Sequence, residues 1–171
     1  MKTLPITETI NGNERSAFCA VAIAAAALCA SADTFTYVDH WPSGTGDETA
    51  TEVVVPDNTP ATISTADDVT RVARLTAISL GTGATVTYNA STALTLSAAL
   101  SGTGSFLGRN SALLTIAADN SGLVSPGHFD FSNAQVRVSH ENGLGAATSG
   151  RANFYFANNS LLDFDCNANG V

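Results

Sequence analysis

Lysine is nearly missing from this chain. Lys2 is the only one, and with six arginines the basic residues number 7 against 15 Asp and Glu, a formal net charge of −8 over 171 residues. Nothing in that balance neutralises phosphates, which argues against nucleic-acid binding. Charge of either sign is scarce: charged residues make up 13%, about half the usual share. Cysteine occurs three times, as Cys19, Cys29 and Cys166, too few and too scattered for a disulfide framework. No G-x-S-x-G, H-E-x-x-H or C-x-x-C occurs. A hydrolase elbow and a zinc ligand pair therefore have no residues to build them. The calcium-binding repeat G-G-x-G-x-D is also missing, which removes the strongest route to a metal in a repeat protein. Polarity comes instead from 21 Thr, 16 Ser, 13 Asn and 14 Gly. Small strand formers and turn formers of this kind favour an all-β protein without catalytic activity, cofactor or metal site.

The one Ala-rich stretch lies near the start. Ala17 to Ala32 is an uncharged run of 16 residues, short for a membrane span, which needs about 20. It suits the apolar region of a secretory signal, with Lys2 and Arg15 ahead of it and Ala30-Ser31-Ala32 as the small-residue end. Residues 1–32 are expected to be a signal peptide cleaved before Asp33, and the protein to be secreted or displayed at a bacterial surface. Cys19 and Cys29 would leave with it, and Cys166 would remain as a lone thiol.

Residues 33–68 form an acidic, turn-rich leader with Pro42, Pro56 and Pro60, expected to cap the repeat region, with short strands at Thr34–Val38 and Glu52–Val55. From Leu75 onward, apolar pairs with one residue between them recur. They are Ile78/Leu80, Val86/Tyr88, Leu94/Leu96, Leu114/Ile116, Phe129/Phe131, Val136/Val138, Phe154/Phe156 and Leu162/Phe164. Period 2 puts both members of a pair on one face of a strand, while Ser79, Thr87, Thr95, Thr115, Asp130, Arg137, Tyr155 and Asp163 face the other way. Such short strands with turns every eight or so residues fit the sides of a solenoid better than a sandwich. Ser91–Ala98 recurs as Ser111–Ala118, an offset of 20, which suits one coil of a β-helical array. Val136/Val138 and then Phe154/Phe156 continue the series at steps of 22 and 18. The expected fold is all-β, a right-handed parallel β-helix of about four to five coils over residues 69–171. Leu94, Leu96, Leu114, Ile116, Val136, Val138, Phe154 and Phe156 should stack inward. Val69–Arg74 reads as a short helix or a capping turn.

Leu100-Ser101-Gly102-Thr103-Gly104-Ser105-Phe106 and Leu113 to Gly122 resemble the autotransporter-associated β-strand repeat, whose pattern runs sGxGxL and then GxLxLxGxNxxxG. Phe129 to Phe131, Val136 to Val138 and Leu144-Gly145 stand where that pattern has its strand pair and terminal LG. The resemblance covers roughly Leu94 to Gly145. It implies a β-helical passenger of a type V secreted bacterial protein, exported by an outer-membrane translocator barrel. The 26 residues after Gly145 do not make eight membrane strands. The chain is accordingly expected to be a truncated passenger, with its last coil open to self-association.

Candidate site residues are few, and each has a plain structural reading. Asp39, His40 and Trp41 are either a ligand site or, the preferred reading, an aromatic plug over the core. His140-Glu141 reads as a solvated turn. Asp163 and Asp165 flank Phe164 as a glycosidase-like or calcium-binding pair, or, preferred, as a solvated acidic edge. Gly102, Gly104 and Gly108 miss the dinucleotide spacing and read as turn glycines. No catalytic, cofactor-binding or metal residue is assigned. The leading function is a structural or adhesive passenger whose partners are host-surface or matrix glycans or proteins. One alternative is a polysaccharide lyase or hydrolase, for which Arg109, Arg137 and Arg151 do not obviously cluster. The other is a glycan- or ice-binding module built on Thr87, Thr95 and Thr115.

Overall fold

The computed structural model describes residues 33–46, 48–110, 112–145 and 153–165. The expected signal segment with Cys19 and Cys29, and Arg151, Cys166 and the residues on to Val171, lie outside the described residues. Strand β1 (Thr34–Thr36) precedes five turns of a solenoid. The first turn holds β2 (Glu52–Val55), β3 (Pro60–Ile63) and helix α1 (Ala66–Ala73). The second holds β4 (Ala77–Leu80), β5 (Thr85–Tyr88) and β6 (Leu94–Leu96), and the third β7 (Ala99–Gly102), β8 (Ser105–Gly108) and β9 (Leu113–Ile116). The fourth holds β10 (His128–Ser132) and β11 (Gln135–Val138), and the fifth β12 (Asn153–Ala157) and β13 (Leu161–Phe164). Every pairing is parallel, in three sheets: β1-β2-β4-β7, then β3-β5-β8-β10-β12, then β6-β9-β11-β13. This is the parallel β-helix that the alternating apolar pairs predict.

Six of the eight pairs are buried as the period requires, whereas Phe154 and Phe164 of the last two are exposed. Ile78, Leu80, Val86, Tyr88, Leu94, Leu96, Leu114, Ile116, Phe129, Phe131, Val136 and Val138 are all buried. They stack like on like, with Leu94 on Leu114, Leu114 on Val136, Val86 on Phe106 and Phe106 on Phe129. Leu100 completes the first side, on Ile78.

The last turn departs from expectation. Phe154 and Phe156 do not continue the column of Val136 and Val138. They pair with Phe129 and Phe131 in the second sheet, and Leu162 and Phe164 follow Val136 and Val138. On the third side the steps lengthen: 20 residues separate Leu94 from Leu114, 22 separate Leu114 from Val136, and 26 separate Val136 from Leu162. A step of 18 therefore carries the chain from the third side to the second side of the next turn, not once around. All three sides bear the same apolar-x-apolar signal, so periodicity alone does not tell them apart.

Helix α1 replaces a strand on the third side of the first turn. Thr65 and Asp68 form a reciprocal capping box at its start. Val69 and Val72 are buried on its inner face, where it packs against β3 and β6. Corners need backbone that reverses tightly. Asn133 and Asn158, at φ 54° and 50°, take the left-handed conformation between the second and third sides. Asn110 and Asn89 hold the same corner one and two turns before Asn133, and Asn110 Nδ2 donates to the Asn89 carbonyl at 3.2 Å. Gly102 sits at φ 93°, and a Cβ there would overlap the Leu80 carbonyl oxygen. Its role is thus the turn glycine that the missed dinucleotide spacing suggests.

The first sheet thins after β7 to a single bridge between Gly102 and Leu123. Asn120, fully buried, supplies the missing partner: its Oδ1 accepts from the Leu100 amide and its Nδ2 donates to the Gly143 carbonyl, each at 2.7 Å. One side chain thus ties three successive turns.

The register sets a stability contrast. Ile116→Ala removes an inward side chain packed on all sides and should cost about 2–5 kcal/mol. Thr115→Ala, facing outward, should cost well under half of that, as read from urea unfolding of both variants; equal losses would contradict the register.

Candidate functional site

Residues 33–50 close the solenoid at its N-terminal end, ahead of its first turn, and they hold the Asp39, His40 and Trp41 group. Trp41 is fully buried and packs on Tyr37, with ring centroids 5.0 Å apart. Its indole N–H donates to the Thr62 carbonyl at 2.8 Å, and Tyr37 Oη accepts from the Thr62 amide at 3.4 Å. Those two groups lie on the outer edge of β3, so the aromatic pair occupies a sheet edge that would otherwise template another strand. Arg71 donates to the Trp41 carbonyl, and Arg74 to the carbonyls of Ala50, Pro42 and Glu48. The helix thereby clips the leader in place. Trp41 is thus buried as the aromatic plug over this end of the core.

His40 lies at the surface beside the plug. Its Nδ1 meets Asp39 Oδ1 at 2.6 Å and its Nε2 meets Glu48 Oε1 at 2.7 Å, while its ring meets Phe35 edge-on. The hydrogen bond to Glu48, and then that to Asp39, raises the His40 pKa above its ordinary value. The same bond from His40, with the Ser43 amide, lowers Glu48 to about 2. Among the described residues, no group of three His, Cys, Asp or Glu side chains is placed to hold a metal.

The remaining predicted residues disperse. His140 accepts from the Asn142 amide at 3.1 Å, bracing the turn after β11, and Glu141 is exposed. Asp163 is bonded to Arg137 at 2.9 Å one turn away, on the outer face of the third sheet. The Asp165 amide continues the ladder onto the Val138 carbonyl. Thr95 and Thr115 stand side by side on the third sheet, whereas Thr87 neighbours Thr62 on the second. The three threonines thus form no single array, and the column of Thr95 and Thr115 runs on into Arg137 and Asp163.

A different cluster, not singled out in the sequence, occupies the outer face of the second sheet. Ser105 Oγ and His128 Nδ1 lie 3.0 Å apart. His128 meets the Tyr155 ring edge-on, with centroids 5.4 Å apart. Arg109 bonds the Asp130 carboxylate at 2.6 Å and the Asp130 carbonyl at 2.9 Å. Leu107, Asp130 and Tyr155 fall in one axial row. The contacting pairs lie 21 to 27 positions apart in the chain; knowing which strands share a side would have found them. Ser105 is buried, and among the described residues the His128 ring is bonded only to the Ser105 hydroxyl and the Pro126 carbonyl. No family model, no curated protein and no solved structure matches this chain.

The His40 clamp has a pH window. The His40 pKa is raised in the folded state, so its contribution is complete below about pH 6.5 and fades as pH rises through the raised value. Glu48 is lowered from 4.5 to about 2, so its contribution holds above pH 4.5 and fades as pH falls through about 2. Thermal unfolding should show His40→Asn least stable relative to the parent between pH 4.5 and 6.5. The two curves should converge above the His40 pKa, and in about 1 M salt, which screens surface pairs. A gap that persists unchanged at pH 9 would contradict the clamp.

Proposed function

We propose that this chain works outside the cell as a stiff, non-catalytic β-solenoid module of the passenger type, which carries its outer faces into contact with surface or matrix glycans or proteins. One observation carries the reading: the inward positions are apolar through successive turns, while outward side chains pair with the turn above or below. Ser79 with Ser101, Thr82 with Thr103, Arg109 with Asp130 and Arg137 with Asp163 are such rungs. A rod built this way resists bending and presents long, regular faces. The resemblance of Leu94 to Gly145 to autotransporter repeats and the apolar run Ala17 to Ala32 support export across a bacterial envelope, with a translocator barrel as the exporting partner. Phe154, Leu161 and Phe164, exposed on the fifth turn, favour self-association through that end.

The purified chain, incubated with a panel of bacterial and plant polysaccharides, should release no new reducing ends or unsaturated products. Turnover that disappears in Asp163→Asn or Asp130→Asn would replace this reading with a carbohydrate-active enzyme.

A further inference from the structure

We infer that the outer face of the second sheet, over β8, β10 and β12, is a binding platform for a neutral, β-linked polysaccharide laid along the solenoid axis. The inference rests on the display function proposed above and names the surface and the ligand class that serve it.

The residues supply the chemistry such a ligand needs. Tyr155 is 53% exposed although it is a large aromatic, and its ring stands on the sheet braced by His128. An exposed, immobilised aromatic ring offers a flat apolar face for the C–H face of a pyranose. Next to it in the same row, Asp130 is held by Arg109, a planar pair suited to adjacent hydroxyls. Internal bonds leave capacity unused: among the described residues no hydrogen bond engages Tyr155 Oη, His128 Nε2, Arg109 Nε or the second Asp130 oxygen.

Charge and spacing select the class. Arg109 and Asp130 neutralise one another, and the chain's net charge of −8 repels polyanions. An uncharged polyol is the complementary ligand. Neighbouring strands lie about 4.8 Å apart, close to the length of one pyranose ring. Successive rings of an extended chain would therefore meet Leu107, Asp130 and Tyr155 in turn. A coiled α-linked chain does not hold that straight course.

Calorimetry of the full chain with cellohexaose, and with maltohexaose as the coiled counterpart, tests this. Saturable binding of cellohexaose is expected, with maltohexaose at least about tenfold weaker. Tyr155→Ala should weaken cellohexaose about tenfold, Tyr155→Phe less, and Thr95→Ala on the third sheet not at all, all with unchanged thermal midpoints. Arg109→Ala should also weaken it; if that variant unfolds, the tyrosine series decides alone. Absence of binding at millimolar cellohexaose, equal affinity for both sugars, or equal affinity in Tyr155→Ala and Thr95→Ala would overturn the inference. None of these results touches the display reading, which falls only if cellohexaose or another glycan is cleaved.

Discussion

The parallel backbone ladder between successive turns is the constraint on which everything else depends. Each strand donates and accepts along the axis, so every turn must bring its three sides back over those of the turn before. The inward side chains then stack in columns whether or not the turns are equally long. Turns of 20, 22 and 26 residues on the third side all return to the same register. Corner asparagines, Gly102 and the buried Asn120 are the local devices that make this possible. Where the first sheet runs out of strand, Asn120 substitutes an amide side chain for two backbone groups.

A ladder has ends, and the two ends of the described solenoid differ. At the N-terminal end each side is closed by a different means. Strand β1 covers β2, the Tyr37 and Trp41 pair takes the free groups of Thr62 on β3, and α1 stands over β6. The His40 clamp and the two arginine clips lock that arrangement from outside. At the other end, β12 and β13 carry exposed Phe154, Leu161 and Phe164. The outer faces divide similarly. Threonine and serine pairs dominate the second and third turns, while charged and aromatic residues gather from β8 onward on the second sheet. Any partner that reads this surface meets two chemically different zones on one rod.

Much of the architecture was legible in the sequence, because period 2 acts locally and fixes which residues face inward. The offset of 20 between Leu94 and Leu114 reported the true stacking of one side. Three things were not legible. The strand β3 hides behind Pro60, which reads as a loop but is tolerated at the start of an edge strand. The placement of Phe154 and Phe156 depends on counting sides, and equal signals on all three sides conceal the count. The surface cluster of Ser105, Arg109, His128, Asp130 and Tyr155 depends on the same count, since each contact crosses turns of unequal length. Trp41, by contrast, was readable as a plug from its isolation among polar and turn residues.

Interstrand nuclear Overhauser effects in the isotopically labelled chain test the account most directly. The parallel ladder predicts backbone contacts linking Leu114 to Val136, Val136 to Leu162 and Phe129 to Phe154. Contacts from Val136 to Phe154, or the close Hα–Hα pairs of antiparallel strands, would contradict it.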